Sequence, residues 1–278
     1  MTITFIDIAK RYLGSRVVSV NYAANVSRIA GRCRDVSNDR VNGYLQARLK
    51  SISPLTCRAE RTILLTLWKW AWENEIVEKQ PRGIMRIKTS KPPTKAWTVE
   101  QLQSAILLTR QCDTTRLRSG ASLGQFLRAW ILLGYEAGAR RGDLFAMTRD
   151  HIDGDTLRWT QHKTGDPIVK VLSPACLEAV GAMLEASPDG RVLGWVCKPR
   201  QAMRLIKEHL GRCGLAGTSK WLRRSGATHI EMVAPGKASL HLGHRTANLA
   251  AQAYIDWGQV RKTTPVTPRL LEAGPTSG

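Results

Sequence analysis

Six side chains in the second half of the sequence are of types that handle phosphate: Arg140, Lys163, Lys220, Arg223, His244 and Tyr254. They lie in four short segments. These are Ala137-Gly-Ala-Arg-Arg-Gly-Asp-Leu144, Gln161-His-Lys-Thr-Gly165, Lys220-Trp-Leu-Arg-Arg-Ser-Gly-Ala-Thr-His229, and Leu242-Gly-His244 followed by Ala253-Tyr254. Guanidinium groups stay charged at any working pH and can grip two phosphate oxygens at once. Lysine and histidine can donate to the same oxygens, and an activated tyrosine hydroxyl forms covalent links. Each segment alone has a plainer reading: a helix start with a surface arginine, a hairpin turn, or a helix end. Their order and spacing are what make them a set.

The rest of the chain is charged to match. Its 278 residues carry 42 basic and 22 acidic side chains, a net charge of +20 with a pI near 10.3. Both the first 90 residues and the remainder are basic. Such a balance implies a polyanionic partner, because each phosphate contacted releases counterions, and it leaves DNA, RNA and anionic membrane open. A hydrophobic content of 43% with a mean hydropathy of −0.24 is globular and argues against disorder, collagen and coiled coil. No run of 18 apolar residues exists, which argues against a membrane span. The start, MTITFIDIAKRY, has no secretory pattern. The six cysteines are scattered without a C-x-x-C pair, which fits reduced thiols in a cytosol.

The elements that must position these residues are mostly helical. Phe5 to Leu13, Tyr22 to Cys33, a segment capped by Ser37 and running to Leu49, and a long helix opened by Ser53-Pro54 fill the first 85 residues. Trp68, Trp70 and Trp72 alternate in that last helix, so they cannot all share its buried face. Residues 87–97, rich in lysine and proline, read as a basic linker. Beyond it, Thr98-x-x-Gln101 is a capping box, and an apolar helix covers Ser122 to Ala137. A β-hairpin over 156–162 and 168–172 turns at Thr164-Gly165-Asp166. Helices over Pro174–Leu184, Arg200–Leu210 and Ser219–Met232 follow, with a last one around Tyr254. The expected organisation is 1–86 helical, 87–97 linker, 98–262 a larger α+β domain, and 263–278 a loosely held tail.

In this order the four segments resemble the tyrosine recombinases (the phage-integrase family). The first is similar to T-G-x-R-x-x-E-L, the second to the hairpin T-K-T-G, the third to H-x-L-R-x-x-x-A-T-x, and the fourth to L-G-H…Y. The motif resemblance spans about residues 98–258. It implies a mainly α fold with a small β-sheet, made of a helical, SAM-like core-DNA-binding domain and an α+β tyrosine-recombinase catalytic domain. It also implies roles. Arg140 and Arg223 would hold the scissile phosphate, with His244 adding a hydrogen bond of the oxyanion-hole kind. Tyr254 would attack to give a 3′-phosphotyrosyl intermediate, and Lys163 would protonate the leaving 5′ oxygen. Asp143 would be a buried partner orienting Arg140 or a helix-start charge, and His229 structural. The implied partners are double-stranded DNA at a core recombination site and three further copies of the chain, as a homotetramer passing through a Holliday junction. An accessory or directionality factor is left open, and no membrane partner is expected. With no carboxylate cluster and no Gly-rich phosphate loop, neither metal nor nucleotide cofactor is expected.

Two features depart from the family pattern. Lys220 stands where the family usually has histidine, and a lysine, with an ordinary pKa near 10.4, is a poor proton acceptor. Tyr254 follows His244 by ten residues where nine is usual. Helices beginning by about residue 5 point to a simple type without an arm-binding domain, acting in the bacterial cytoplasm or nucleoid. A Xer-like resolvase, a type IB topoisomerase and a non-catalytic DNA-binding protein of the same fold stay open as alternatives. On any of them, affinity for duplex DNA should fall by roughly 10³-fold between 50 and 200 mM salt, as for a protein making several phosphate contacts. A fluorescence-anisotropy titration at several salt concentrations measures it, and binding indifferent to salt would contradict the charge argument. A chain stopped at Lys262 should keep this binding while losing assembly, since Leu270 and Leu271 are the only large apolar pair in the tail.

Overall fold

The computed structural model describes residues 3–90, 93–187, 189–218, 220–244 and 246–260. The tail, with Leu270 and Leu271, lies outside them. The chain divides into two compact units with the boundary at residues 92/93.

The first unit is helical: α1 (Phe5–Gly14), α2 (Val20–Arg32), α3 (Asn38–Leu49) and α4 (Pro54–Glu73). Thr4, Ser19, Ser37 and Ser53 each accept a hydrogen bond from a first-turn amide, and Pro54 occupies a position that needs no N–H. Phe5, Ile8, Ile29, Leu45, Leu64 and Leu67 form its core, with Phe5 and Trp68 meeting edge to face at 6.1 Å. The three alternating tryptophans separate as their spacing requires. Trp68 is buried, Trp70 packs edge-on against Tyr12, and Trp72 is exposed.

One buried charge organises this unit. Glu60, 2% exposed, receives a bidentate pair from Arg48 (2.9 Å on each oxygen) and a hydrogen bond from Tyr44 at 2.7 Å. Arg28 and Arg32 on α2 approach the same carboxylate at 3.6 and 3.5 Å. Three helices thus converge on one anion, whose proton affinity is lowered chiefly by Arg48.

The second unit begins with an anchor. Ile87 still packs on the first core, whereas Ala96 and Trp97 are buried in the second. Trp97 donates through its amide to Ser225 Oγ at 2.9 Å and through its indole to Ala216 O at 3.0 Å. The expected 87–97 linker is therefore tied down at both ends by its apolar residues. Then come α5 (Val99–Leu108), α6 (Leu123–Glu136) and α7 (Arg141–Ala146). The sheet is β1 (Ile152–Asp153), β2 (Thr156–Thr160) and β3 (Pro167–Val171), antiparallel in the order β1-β2-β3. The expected hairpin is β2–β3; the two-residue β1 was too short to show a period. Helices α8 (Pro174–Glu185), α9 (Pro199–Arg212), α10 (Lys220–Val233), α11 (Ala238–Leu242), α12 (Ala247–Ala253) and α13 (Trp257–Val260) complete it. Capping boxes at Thr98 and Ser122 start α5 and α6. The apolar α6, with Phe126, Trp130, Ile131 and Leu133 buried, is the central rod of the core.

Replacing Glu60 by Ala should lower stability by about 3 kcal/mol, because it leaves three arginines facing one another and Arg48 without its partner. Thermal unfolding of the full chain measures this, and an unchanged melting temperature would mean the cluster contributes nothing.

Candidate active site

Arg223 lies on the buried face of α10 and is 4% exposed. A guanidinium in that position needs acceptors, and two helix ends supply them. Its Nη1 donates to Gly138 O, just past the end of α6, and its Nη2 donates to Leu242 O, the last residue of α11, at 2.8 Å. Carbonyls at helix C-termini lack intrahelical partners and carry the negative end of the dipole. The chain can present them because Gly138 and Gly243 adopt left-handed φ of 57° and 60°. Neither position has room for a side chain. A Cβ on Gly138 would come within 2.7 Å of His241 Nε2, and one on Gly243 within 2.8 Å of Gln161 Nε2.

His244 follows Gly243 directly. Its Nε2 lies 3.0 Å from Arg223 Nη2, which can only donate, so Nε2 accepts and the ring proton sits on Nδ1. Burial, with Arg223 and Arg140 adding repulsion, pushes the imidazole down to about 4, so it is neutral near pH 7. Its Nδ1 is buried with no hydrogen-bond partner among the described residues. Burial likewise brings Arg223 down to about 10, still charged at neutral pH.

Tyr254 completes the group. Its ring centroid is 5.0 Å from that of His244, 5.1 Å from Arg223 Cζ and 5.5 Å from Lys220 Nζ. The expected helix around Tyr254 ends one residue early: α12 stops at Ala253 and Tyr254 is its C-cap, with φ −129°. Contacts from α10 explain the break. Thr228 Oγ1 donates to Tyr254 O at 3.5 Å and accepts from Asp256 N at 2.9 Å, while Ile255 is buried. Small residues (Ala227, Ala238 and Ala250) let α10, α11 and α12 close around this turn. Asp256 then reaches back to accept from Ala96 N at 3.0 Å. Thr228 and Asp256 were not singled out from sequence; their importance rests on contacts 28 and 160 residues apart in the chain.

Arg140 is the N-cap of α7, and its guanidinium donates to Gln161 Oε1. The expected partner, Asp143, is buried but is used otherwise. It accepts from His162 N at 3.1 Å and so holds the start of the β2–β3 turn. As expected from its position, His229 is turned away from the cleft, its Nδ1 2.8 Å from Tyr135 Oη. That contact also occupies Tyr135. Lys163 is exposed on the turn.

Of the six candidates, Arg140, Lys163, Lys220, Arg223 and Tyr254 line one cleft of about 710 Å³, with Arg141 and Lys207 beside them and Trp130, Ile206 and Leu210 as apolar lining, while His244 does not line it. Six cations line it and, among the described residues, no carboxylate does. Arg141 and Lys207 are additions that motif spacing did not reveal. Lys170 is a different kind of lysine. It does not line the cleft, its Nζ donates to Leu240 O at 3.4 Å, and burial with Arg223 nearby pushes it down to about 8. Among the described residues no group of three His, Cys, Asp or Glu side chains comes together as a metal-holding set. No helix there is long and apolar enough to cross a membrane.

The lowered values of His244 (about 4) and His241 (about 3) fix the sign of an acid effect. Both groups bind protons more tightly unfolded, near pH 6.5, so stability is full above that value and falls as pH drops toward 4. Melting temperature followed from pH 7 to 4.5 should show this, with a shallower slope in His244→Asn; an equal slope would remove His244 as a contributor.

No family model and no curated protein sequence matches the chain. Solved structures do. A lambda integrase dimer bound to a COC′ core site superposes with a TM-score of 0.77 at 19% identity, over 96% of this chain and 81% of that one. A lambda integrase tetramer bound to a Holliday junction gives 0.72 at 18%, over 88% and 79%. The Tn1549 transposon integrase in complex with a circular intermediate DNA gives 0.72 at 12%, over 95% and 100%. By fold, then, this chain stands with the lambda and Tn1549 integrases, the tyrosine-recombinase fold to which its four motifs pointed.

Proposed function

We propose that the protein is a site-specific DNA recombinase of the integrase type, which cuts and rejoins DNA through a covalent tyrosine link. The observation that carries this reading is the cleft itself. A tyrosine ring lies within about 5 Å of a buried arginine and a neutral histidine, at a pocket lined by six cations and, among the described residues, by no acid. Such a pocket suits a phosphodiester that gains negative charge as it is attacked. The described structures of the same fold are themselves bound to DNA, including one on a Holliday junction.

In this mechanism Arg140 and Arg223 hold the non-bridging oxygens, and His244 donates its Nδ1–H to the same phosphate. The Tyr254 oxygen attacks phosphorus and loses its proton to water, with Arg223 Cζ and Lys220 Nζ standing 5.1 and 5.5 Å from the ring centroid. The bond from phosphorus to the 5′ oxygen breaks, and Lys163 gives that oxygen a proton. A 5′ hydroxyl from a partner strand then attacks the 3′-phosphotyrosine and gives its proton to Lys163, while the bond from phosphorus to the Tyr254 oxygen breaks and that oxygen takes a proton back from water. The bond energy is kept, so no nucleotide is consumed. Exchange between paired duplexes passes through a Holliday junction and calls for four copies of the chain. Lys220 has the place of the family's usual histidine and acts here as a cation beside the nucleophile.

The test uses a duplex selected by the protein from a random-sequence library and remade with a nick beside each candidate scissile phosphate. Wild-type protein should form a covalent adduct on a denaturing gel, in EDTA, mapping to Tyr254. Tyr254→Phe should bind equally and form none. Arg140→Ala and Arg223→Ala should form adduct about 10²-fold more slowly. An adduct that persists in Tyr254→Phe, or that requires magnesium, overturns the mechanism; tight binding without any wild-type adduct supports a non-catalytic DNA-binding protein instead.

A further inference from the structure

Gln161 is a polar side chain buried to 1% exposure that the mechanism above does not use. Three of its four hydrogen-bonding capacities are taken by groups at the site. Oε1 accepts from Arg140 Nη1 and from Thr164 Oγ1 at 3.0 Å, and Nε2 donates to Leu242 O at 3.1 Å. Leu242 O is the same carbonyl that receives Arg223 Nη2. The backbone of Gln161 also closes the turn carrying Lys163: its N–H donates to Asp166 O at 2.9 Å, and its carbonyl accepts from Gly165 N at 2.8 Å.

We infer that Gln161 is a positioning residue that sets Arg140, Arg223 and the Lys163 turn in register with one another. The inference rests on the recombinase reading above and deepens it. The physical reason is that, among the described residues, no carboxylate pairs with the Arg140 guanidinium, and Asp143 Oδ1 accepts from His162 N instead. An arginine held only by a phosphate would have to be ordered as the substrate binds, at a cost in rotamer entropy. The amide of Gln161 orders it beforehand without adding a negative charge to the cleft. A neutral acceptor keeps the full attraction for phosphate, where a carboxylate would offset part of it. The shared Leu242 carbonyl ties the position of Arg140 to that of Arg223 through one side chain and one peptide. Lys163, two residues on, is thereby carried on an anchored turn rather than a free hairpin.

The nicked-duplex assay tests this with Gln161→Leu and Gln161→Glu, each scored for site binding, melting temperature and rate of adduct formation. Gln161→Leu removes every side-chain bond and should slow adduct formation by about tenfold to 10²-fold, with binding within about threefold of wild type, as expected when reacting groups are displaced by about 1 Å. Gln161→Glu keeps the acceptor for Arg140 and Thr164 but loses the donor to Leu242 O, and should fall between Gln161→Leu and wild type. Combining Gln161→Leu with Arg140→Ala should slow the reaction little beyond Arg140→Ala alone, because the two act through one contact. A merely structural role would instead make the losses multiply and track the melting temperature. Wild-type rates in Gln161→Leu, multiplicative losses in the double variant, or equal losses in the Leu and Glu variants with parallel loss of binding would each overturn the role of Gln161. A wild-type protein that forms no adduct on a duplex it binds would bring down the recombinase reading and this inference with it, a result distinct from all three.

Discussion

The second unit is built around a guanidinium that, among the described residues, has no carboxylate partner. Burying a charge is costly unless it is well hydrogen-bonded, and Arg223 meets that demand with two backbone carbonyls and the His244 ring. The carbonyls of Gly138 and Leu242, at the ends of α6 and α11, receive it. Each helix must therefore stop where it does, and each stop needs a left-handed residue with no room for a Cβ. From this one requirement follow the placement of His244 directly after Gly243, the close approach of α10, α11 and α12, and the short reach from Arg223 to the Tyr254 ring.

Solving the problem with carbonyl dipoles has an electrostatic consequence. A carboxylate would cancel the charge of Arg223; dipoles stabilise it and leave its field intact. The same field reaches the neighbours. It contributes to holding His244 neutral and to lowering Lys170 behind the cleft. With Arg140, Lys163 and Lys220 added, the free cleft is a concentration of like charge, held together by packing. A phosphate entering it would be the missing counter-charge, so binding and the stabilisation of a more negative transition state draw on the same groups.

The first unit treats buried charge in the opposite way. There Glu60 gathers Arg28, Arg32 and Arg48 and neutralises part of their charge in place. The contrast separates two uses of arginine within one chain. Beside Glu60 the carboxylate fixes three helices relative to one another. Near the cleft the acid nearest to Arg140 in sequence, Asp143, accepts from the His162 amide and does not line the cleft.

Most of the elements were legible because the signals that set them are local. Capping residues at Thr98 and Ser122, prolines at the first positions of α4 and α8, and 3.6-residue apolar spacing act within one or two turns. Five of the six residues singled out by type and order, Arg140, Lys163, Lys220, Arg223 and Tyr254, line one cleft. What escaped was everything that depends on distant partners. The two-residue β1 forms only by pairing with β2. The end of α12 at Ala253 is decided by Thr228, and the partner of Arg140 by Gln161 in place of the nearer Asp143. A glutamine in a turn carries no periodic or motif signal of its own; its meaning comes from three groups, on α7, the β2–β3 turn and α11, that meet only when the chain is folded. The sequence by itself determined which residue types were available and where helices start. Tertiary structure alone decided which of them touch, because a buried polar atom takes whichever partner the packing leaves within 3 Å.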